Sequence, residues 1–296
     1  MVEIVEVSPR DGLQNEEKAL STAEKLELVE RAARTGVRRI EVTSFVRPDR
    51  VPQLTDAAEV ATALTRNGDG GIAYSALVLN AKGYDRAVAA GIREVTTLVL
   101  ATETFSDRNQ GMTTGEAVET ARWIRERARR DGVTVAVTIG AAFGCPFEGE
   151  VPDARFAEVA ARVADLGADE VCLADTIGVA VPSDVEARFG VLRGLTDAPM
   201  RVHLHDTRNT GVANAVAAVR SGVAALDASL GGIGGCPFAP GASGNVATED
   251  LVYTLHRMGH DTGLDLAATI EQATWVTGRL GVPVSGRLAT VGGFPR

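Results

Sequence analysis

Eight short apolar runs alternate with longer amphipathic stretches along this chain, at about residues 3–8, 38–45, 72–79, 94–101, 134–142, 169–175, 200–205 and 225–230. Each is rich in Val, Ile, Leu or Ala and bounded by Gly, Pro, Asn or Asp, the pattern of buried strands. The stretches 22–35, 54–66, 83–90, 115–130, 153–166, 183–194, 208–221 and 247–258 carry helical spacing, and a further helix is expected at about 265–280. Ser21 and Glu24 form a capping-box signature at the first helix, and Gly36, Gly91 and Gly167 stand where helices should stop. Strict alternation of strand and helix demands a parallel sheet with helical crossovers. Eight units without a break in composition predict a closed TIM (β/α)8 barrel with a short extra C-terminal helix, one catalytic domain over 1–296. The glycine-rich stretch 231–244 follows the last strand rather than the first, which argues against a dinucleotide-binding open sheet.

Composition removes several function classes. Hydrophobic residues are 45% of the chain, enough for a large core, but aromatic residues are only 4%, so stacking platforms for nucleic-acid bases are scarce. A net charge of -9 leaves no basic footprint for nucleic acid or an anionic membrane. The three cysteines, Cys145, Cys172 and Cys236, are too few and odd in number for a disulfide framework, so a reducing compartment is expected. The first residues read as a strand rather than a signal peptide, and no apolar run approaches the ~20 residues of a membrane span. A cytoplasmic protein is the expectation.

In such a barrel the chemistry sits at the C-terminal ends of the strands. The first strand ends in Ser8-Pro9-Arg10-Asp11-Gly12-Leu13-Gln14-Asn15, where Arg10 and Asp11 offer a cation and a ligand, or only a surface ion pair. Glu41 lies inside the second apolar run, where a carboxylate is costly unless paired, and Arg10 is its natural partner. The sharpest signal is Arg201-Val202-His203-Leu204-His205-Asp206. Two of the four histidines fall there at i, i+2, so both imidazoles face the same side of one strand as a preset pair of nitrogen ligands. Cys236, inside the last glycine-rich loop, is either an acid or nucleophile at the barrel mouth or a small half-buried apolar residue. Asn245 can offer a carbonyl oxygen to a metal, and Asp175, ending the sixth strand, can orient a metal-bound histidine. Cys145 and Cys172 read as structural. This mixed nitrogen and oxygen set suits Mg2+ or Mn2+ better than structural zinc.

The same residues carry a resemblance. Pro9 to Asn15, Glu41 to Val46, Gly144-Cys145-Pro146-Phe147-Glu148-Gly149, Asp175 to Gly178, His203 to Thr207, Gly234-Gly235-Cys236-Pro237 and Gly241 to Asp250 resemble the 3-hydroxy-3-methylglutaryl-CoA lyases, within the metal-dependent lyase and Claisen-condensing barrel superfamily. The match runs from about residue 3 to residue 262. The resemblance implies that Asp11, His203, His205 and Asn245 bind a divalent cation and that Arg10 meets the enolate oxygen of the departing acyl-CoA. It implies that Cys236 donates or relays a proton, Glu41 holds Arg10 and Asp175 supports the site. Asp11 and His203 would also serve catalysis, and Gln14 and Ser44, inside the first two motifs, would meet substrate. The implied partner is an acyl-CoA, the assembly a homodimer and the pathway leucine or branched-acid breakdown. Lys18 and Arg108 are candidates for contacts to CoA.

That chemistry is coherent. Cleaving C2–C3 of a 3-hydroxyacyl-CoA requires loss of the tertiary hydroxyl proton, stabilisation of a thioester enolate and its reprotonation away from water. Two departures touch the acyl pocket. Arg208-Asn209-Thr210 stands where the lyase pattern has Tyr-Gly-Gln, and Thr138 stands where it usually has Tyr. A citramalyl-CoA or a longer 3-hydroxy-3-alkylglutaryl-CoA is therefore an alternative substrate. A Claisen-type synthase, which carries a C-terminal extension, and a non-catalytic barrel, which would have lost Arg10, Asp11 or a histidine, are the rival readings.

Overall fold

The computed structural model describes residues 1–66, 70–235 and 244–294. Eight parallel strands close into a barrel in sequence order: β1 Glu3–Glu6, β2 Arg39–Ser44, β3 Ala73–Leu77, β4 Glu94–Leu100, β5 Thr134–Gly140, β6 Glu170–Asp175, β7 Met200–Leu204 and β8 Ala225–Ala228, with β8 pairing back to β1. The helices are α1 Thr22–Arg34, α2 Ala57–Thr65, α3 Ala81–Ala89, α4 Glu103–Gln110, α5 Thr114–Asp131, α6 Asp153–Ala164, α7 Pro182–Arg193, α8 Gly211–Arg220, α9 Thr248–Arg257, α10 Leu266–Leu280 and α11 Leu288–Val291. All eight expected strands form, and the extra helix is α10, which packs on α1 and α9.

Local signals act as their chemistry requires. Ser21 N donates to Glu24 Oε2 at 2.9 Å and Glu24 N donates to Ser21 Oγ at 3.3 Å, closing the capping box of α1. Gly36, Gly91 and Gly167 have φ of 100°, 90° and 60°, the left-handed region that a side chain disfavours. The strand-end boundaries differ from the sequence reading where backbone turns intervene. β1 stops at Glu6 because Ser8–Gly12, with Pro9, winds into one π-helical turn. The helix expected from residue 54 begins at Ala57, after a 3-10 turn at Pro52–Leu54. The short helix α4 is absent from the sequence reading because it is polar apart from Phe105 and buries only Phe105 and Ser106.

The main apolar core lies between the barrel and its helices, around residues such as Ile40, Val42, Leu28, Phe156 and Phe189. The barrel interior differs from the usual stack of branched aliphatic side chains. A small apolar group of Val5, Val7 and Ala225 is present, and below the site the axis is crossed by ions. Arg39 Nη1 and Nη2 donate to Glu170 at 2.7 and 2.9 Å, Arg39 Nε to Glu94 at 2.5 Å, and Arg201 Nε lies 2.8 Å from Glu170. Buried charges are tolerated when paired in this way.

Candidate active site

A cavity of about 640 Å3 opens at the C-terminal end of the barrel. Its wall includes Arg10, Asp11, Gln14, Glu41, Ser44, Thr138, His203 and His205, so most residues singled out from sequence converge there. The strand period accounts for this. Side chains alternate, so Arg39 and Glu41 of β2, and Arg201, His203 and His205 along and just past β7, point to the axis while Ile40, Val42 and Val202 pack outward.

His203 Nε2 lies 3.1 Å from His205 Nε2 and 3.7 Å from Asp11 Oδ2, and His205 Nε2 lies 4.0 Å from the same oxygen. These three buried groups are a set able to hold a metal ion, the only such set among the described residues. Asn245 is bridged to His205 and its Nδ2 donates to Asp11 Oδ2 at 2.9 Å and to Ile233 O at 3.1 Å. Its Oδ1 is buried and has no hydrogen-bond partner among the described residues, as an oxygen reserved for a cation would be. Gly234 makes this approach possible, because a Cβ there would lie 2.5 Å from Asn245 Nδ2 and its φ is 108°. The donor set therefore fits a hard divalent cation with positions left for substrate oxygens.

Electrostatics agree. Burial opposes the charge on Asp11, but Arg10 and the two histidines outweigh it and hold the carboxyl well below the usual range. Burial and the neighbouring His203 push His205 down to about 4, so its ring is neutral and available as a ligand. Burial lowers His203, but Asp227 and Asp11 together bring it above its ordinary value. Arg10 Nε donates to Glu41 Oε2 at 2.5 Å and Arg10 Nη1 to Asp11 Oδ1, which realises the expected pairing with Glu41. Arg10 is 9% exposed, and that remaining surface faces the cavity.

Other expectations divide. Ser44 Oγ is buried and lacks a partner among the described residues, so it is free to bond a ligand. The Gln14 amide donates to Asp11 Oδ1 at 3.1 Å at the cavity wall. Asp175 was expected to orient a histidine. Its two oxygens instead accept from Val179 N and Ala180 N, both at 3.0 Å, so it shapes the loop after β6. The carboxylate beside His203 is Asp227, whose Oδ2 is 3.1 Å from Nδ1. Sequence reasoning missed Asp227, although a carboxylate inside the apolar run Ala225-Leu226-Asp227-Ala228 is the signal that flagged Glu41. Lys18 donates to Arg279 O, away from the cavity, whereas Arg108 lines it with its guanidinium 4.4 Å from the Phe147 ring centre. Arg208 Nη1 donates to Ile177 O and Gly178 O at 2.9 Å and lies outside the cavity wall, so of the two departures only Thr138 reaches the pocket. Cys145 is buried 3.0 Å from Thr102 Oγ1, and Cys172 is buried in β6. Cys236 lies outside the described residues. The chain leading to it is fastened: Asn15 Nδ2 donates to Gly235 O at 2.8 Å and Gly234 N to Glu16 Oε1 at 3.3 Å.

Comparison with known proteins gives this site its context. The chain is 44% identical to an (R)-citramalyl-CoA lyase of Chloroflexus aurantiacus over 98% of its own length and 95% of that protein. It is 38% identical to a hydroxymethylglutaryl-CoA lyase of Bacillus subtilis over 97% of its own length and 95% of that protein. A crystal structure of the B. subtilis HMG-CoA lyase superposes with a TM-score of 0.94 at 38% identity, covering 98% and 97% of the two chains. An HMG-CoA lyase from Acinetobacter baumannii, in complex with coenzyme A and 3-methylmalate, superposes with a TM-score of 0.93 at 36% identity, covering 100% and 98%. The family model described as HMGL-like matches residues 1–276, and with the barrel, the metal-binding set and these relatives in agreement, the chain belongs to the HMGL-like family.

Proposed function

We propose that this chain is a carbon–carbon lyase that cleaves 3-hydroxy-3-methylglutaryl-CoA to acetyl-CoA and acetoacetate. The observation that carries the reading is Arg10 beside the convergent Asp11, His203 and His205 in one cavity, with Asn245 bonded to Asp11 behind them. Asp11, His203, His205 and Asn245 would hold Mg2+ or Mn2+. When bound, such an ion would supply Lewis-acid chemistry that lowers the pKa of the substrate hydroxyl. Arg10 presents a fixed positive charge to the enolate that forms as C2–C3 breaks. Glu41 keeps that guanidinium in place, and its carboxylate accepts at 2.5 Å. Asp11 and His203 would align the reacting hydroxyl, and Gln14 and Ser44, which line the cavity, would meet substrate. Cys236, by the sequence expectation, supplies the proton that converts the enolate to acetyl-CoA. No helix among the described residues is long and apolar enough to cross a membrane. A cytoplasmic homodimer acting in leucine or branched-acid breakdown completes the reading.

A second reading has its own support. The 44% identity to an (R)-citramalyl-CoA lyase favours citramalyl-CoA, cleaved to acetyl-CoA and pyruvate. The deciding experiment offers each CoA ester with Mn2+ and then with EDTA. Metal-dependent acetoacetate release supports the first reading, and pyruvate release alone replaces it with the second. Release of neither product refutes both.

A further inference from the structure

The parallel register of β7 and β8 sets His203 beside Asp227. The two Asp227 oxygens are divided between two partners. Oδ2 lies 3.1 Å from His203 Nδ1, and Oδ1 accepts from Arg201 Nη1 at 3.1 Å. Arg201 is 1% exposed, and its Nε lies 2.8 Å from Glu170, which Arg39 grips with two further hydrogen bonds. A continuous ionic column thus rises from the lower end of the barrel to the underside of His203. His205 has no counterpart, because its Nδ1 is buried without a hydrogen-bond partner among the described residues.

A neutral imidazole carries one proton on one of two nitrogens, and only the bare nitrogen can bind a metal. His203 Nε2 is the nitrogen that faces Asp11 and His205, so the proton belongs on Nδ1. A carboxylate acceptor at Nδ1 enforces that tautomer and the ring angle. Asp227 cannot turn away without abandoning Arg201, and Arg201 cannot follow without abandoning Glu170. We propose that Asp227, held by Arg201 and the Glu170–Arg39 pair, is the positioning residue that keeps His203 in the Nδ1–H tautomer with Nε2 aimed at the metal. The proposal rests on the metal-site reading above. It assigns the two histidines unequal parts: His203 is fixed before the ion arrives, and His205 is fixed by the ion.

Asp227→Asn is nearly isosteric and separates orientation from packing. Its amide oxygen stays with the cationic Arg201, which turns the NH2 toward His203 Nδ1 and forces the proton onto Nε2. The full chain, labelled with 15N-histidine, is observed by NMR after stripping and after saturation with Mg2+, and Mn2+ binding is measured by calorimetry. In the unmutated protein His203 shows a protonated Nδ1 in both states. In Asp227→Asn, Mn2+ affinity falls about 10- to 100-fold, kcat recovers in part at saturating Mn2+, and KM for the CoA ester stays within about threefold. Asp227→Glu, which restores an acceptor carboxylate, regains part of the affinity. The proposal is overturned by a stripped, unmutated protein whose His203 carries its only proton on Nε2, a reading that needs no variant to fold. An Asp227→Asn variant that binds Mn2+ as tightly as the unmutated chain overturns it as well. An unmutated chain that binds no Mn2+ refutes the metal-site reading instead, and the Nδ1 proton still decides the part of Asp227.

Discussion

Replacing Arg10 by Gln tests the centre of the mechanism. The guanidinium is nearly buried and held by Glu41 and Asp11, so it needs little reorganisation when an enolate forms in front of it. Removing one preorganised donor from a developing oxyanion costs about 100- to 1,000-fold in kcat, or ~2.7–4 kcal/mol. Arg10 offers a full charge in a buried site, so the upper end of that range is expected. Removing one partner of a buried ion pair also costs about 3–5 kcal/mol of stability. Here part of that loss depends on the metal, because Asp11 keeps the Asn245 amide at 2.9 Å and gains a bound cation. Mn2+ should therefore bind at least as tightly as before and should raise the Tm of Arg10→Gln more than that of the parent. The assay is acetyl-CoA release at saturating Mn2+, with calorimetry for the metal and a thermal scan with and without it. A kcat within tenfold of the parent refutes the enolate role. A collapse of Mn2+ affinity shows instead that Arg10 serves mainly to hold Asp11.

Three further outcomes are expected. Asn245→Ala removes the buried, unpartnered Oδ1 and the bond to Asp11, and should weaken Mn2+ binding by about 10-fold or more, read by calorimetry; unchanged affinity removes Asn245 from the ligand set. Thr138→Tyr fills the cavity wall and should lower kcat/KM for a longer 3-hydroxy-3-alkylglutaryl-CoA by about 10-fold or more relative to citramalyl-CoA, and equal losses would place Thr138 outside the acyl pocket. Burial pushes Glu249 up to about 8, and it accepts from Gly231 N at 3.1 Å. A raised acid favours the folded state at low pH, and that advantage is lost as pH rises from the unfolded value near 4.5 through about 8. Glu249→Gln should therefore remove a decline on the order of a few kcal/mol across that window, seen as a flatter Tm against pH. Parallel curves for the two proteins would show that Glu249 is ionised in the fold.

The sequence alone carried the architecture, because a barrel of this kind is written in short-range periodicity. Runs of Val, Ile, Leu and Ala mark β1 to β8, and the Ser21–Glu24 box and the glycines at 36, 91 and 167 mark helix ends through local sterics. It also carried His203 and His205, since an i, i+2 spacing on a strand determines that two side chains face together. The tertiary structure decided what depends on the closure of the barrel. The Arg10–Glu41 pair was legible because a carboxylate inside an apolar run needs a cation, but Asp11 meets Asn245 Nδ2 across 234 residues, a bond that no local pattern can encode. The same closure decided which carboxylate lies against His203 Nδ1, where Asp227 Oδ2 stands at 3.1 Å. One carboxylate at the end of β6 finds backbone N–H groups in its own loop, while the other, on β8, is brought beside His203 only when β8 pairs with β7. Strand order determines which charges are neighbours, and so which carboxylate stands beside His203.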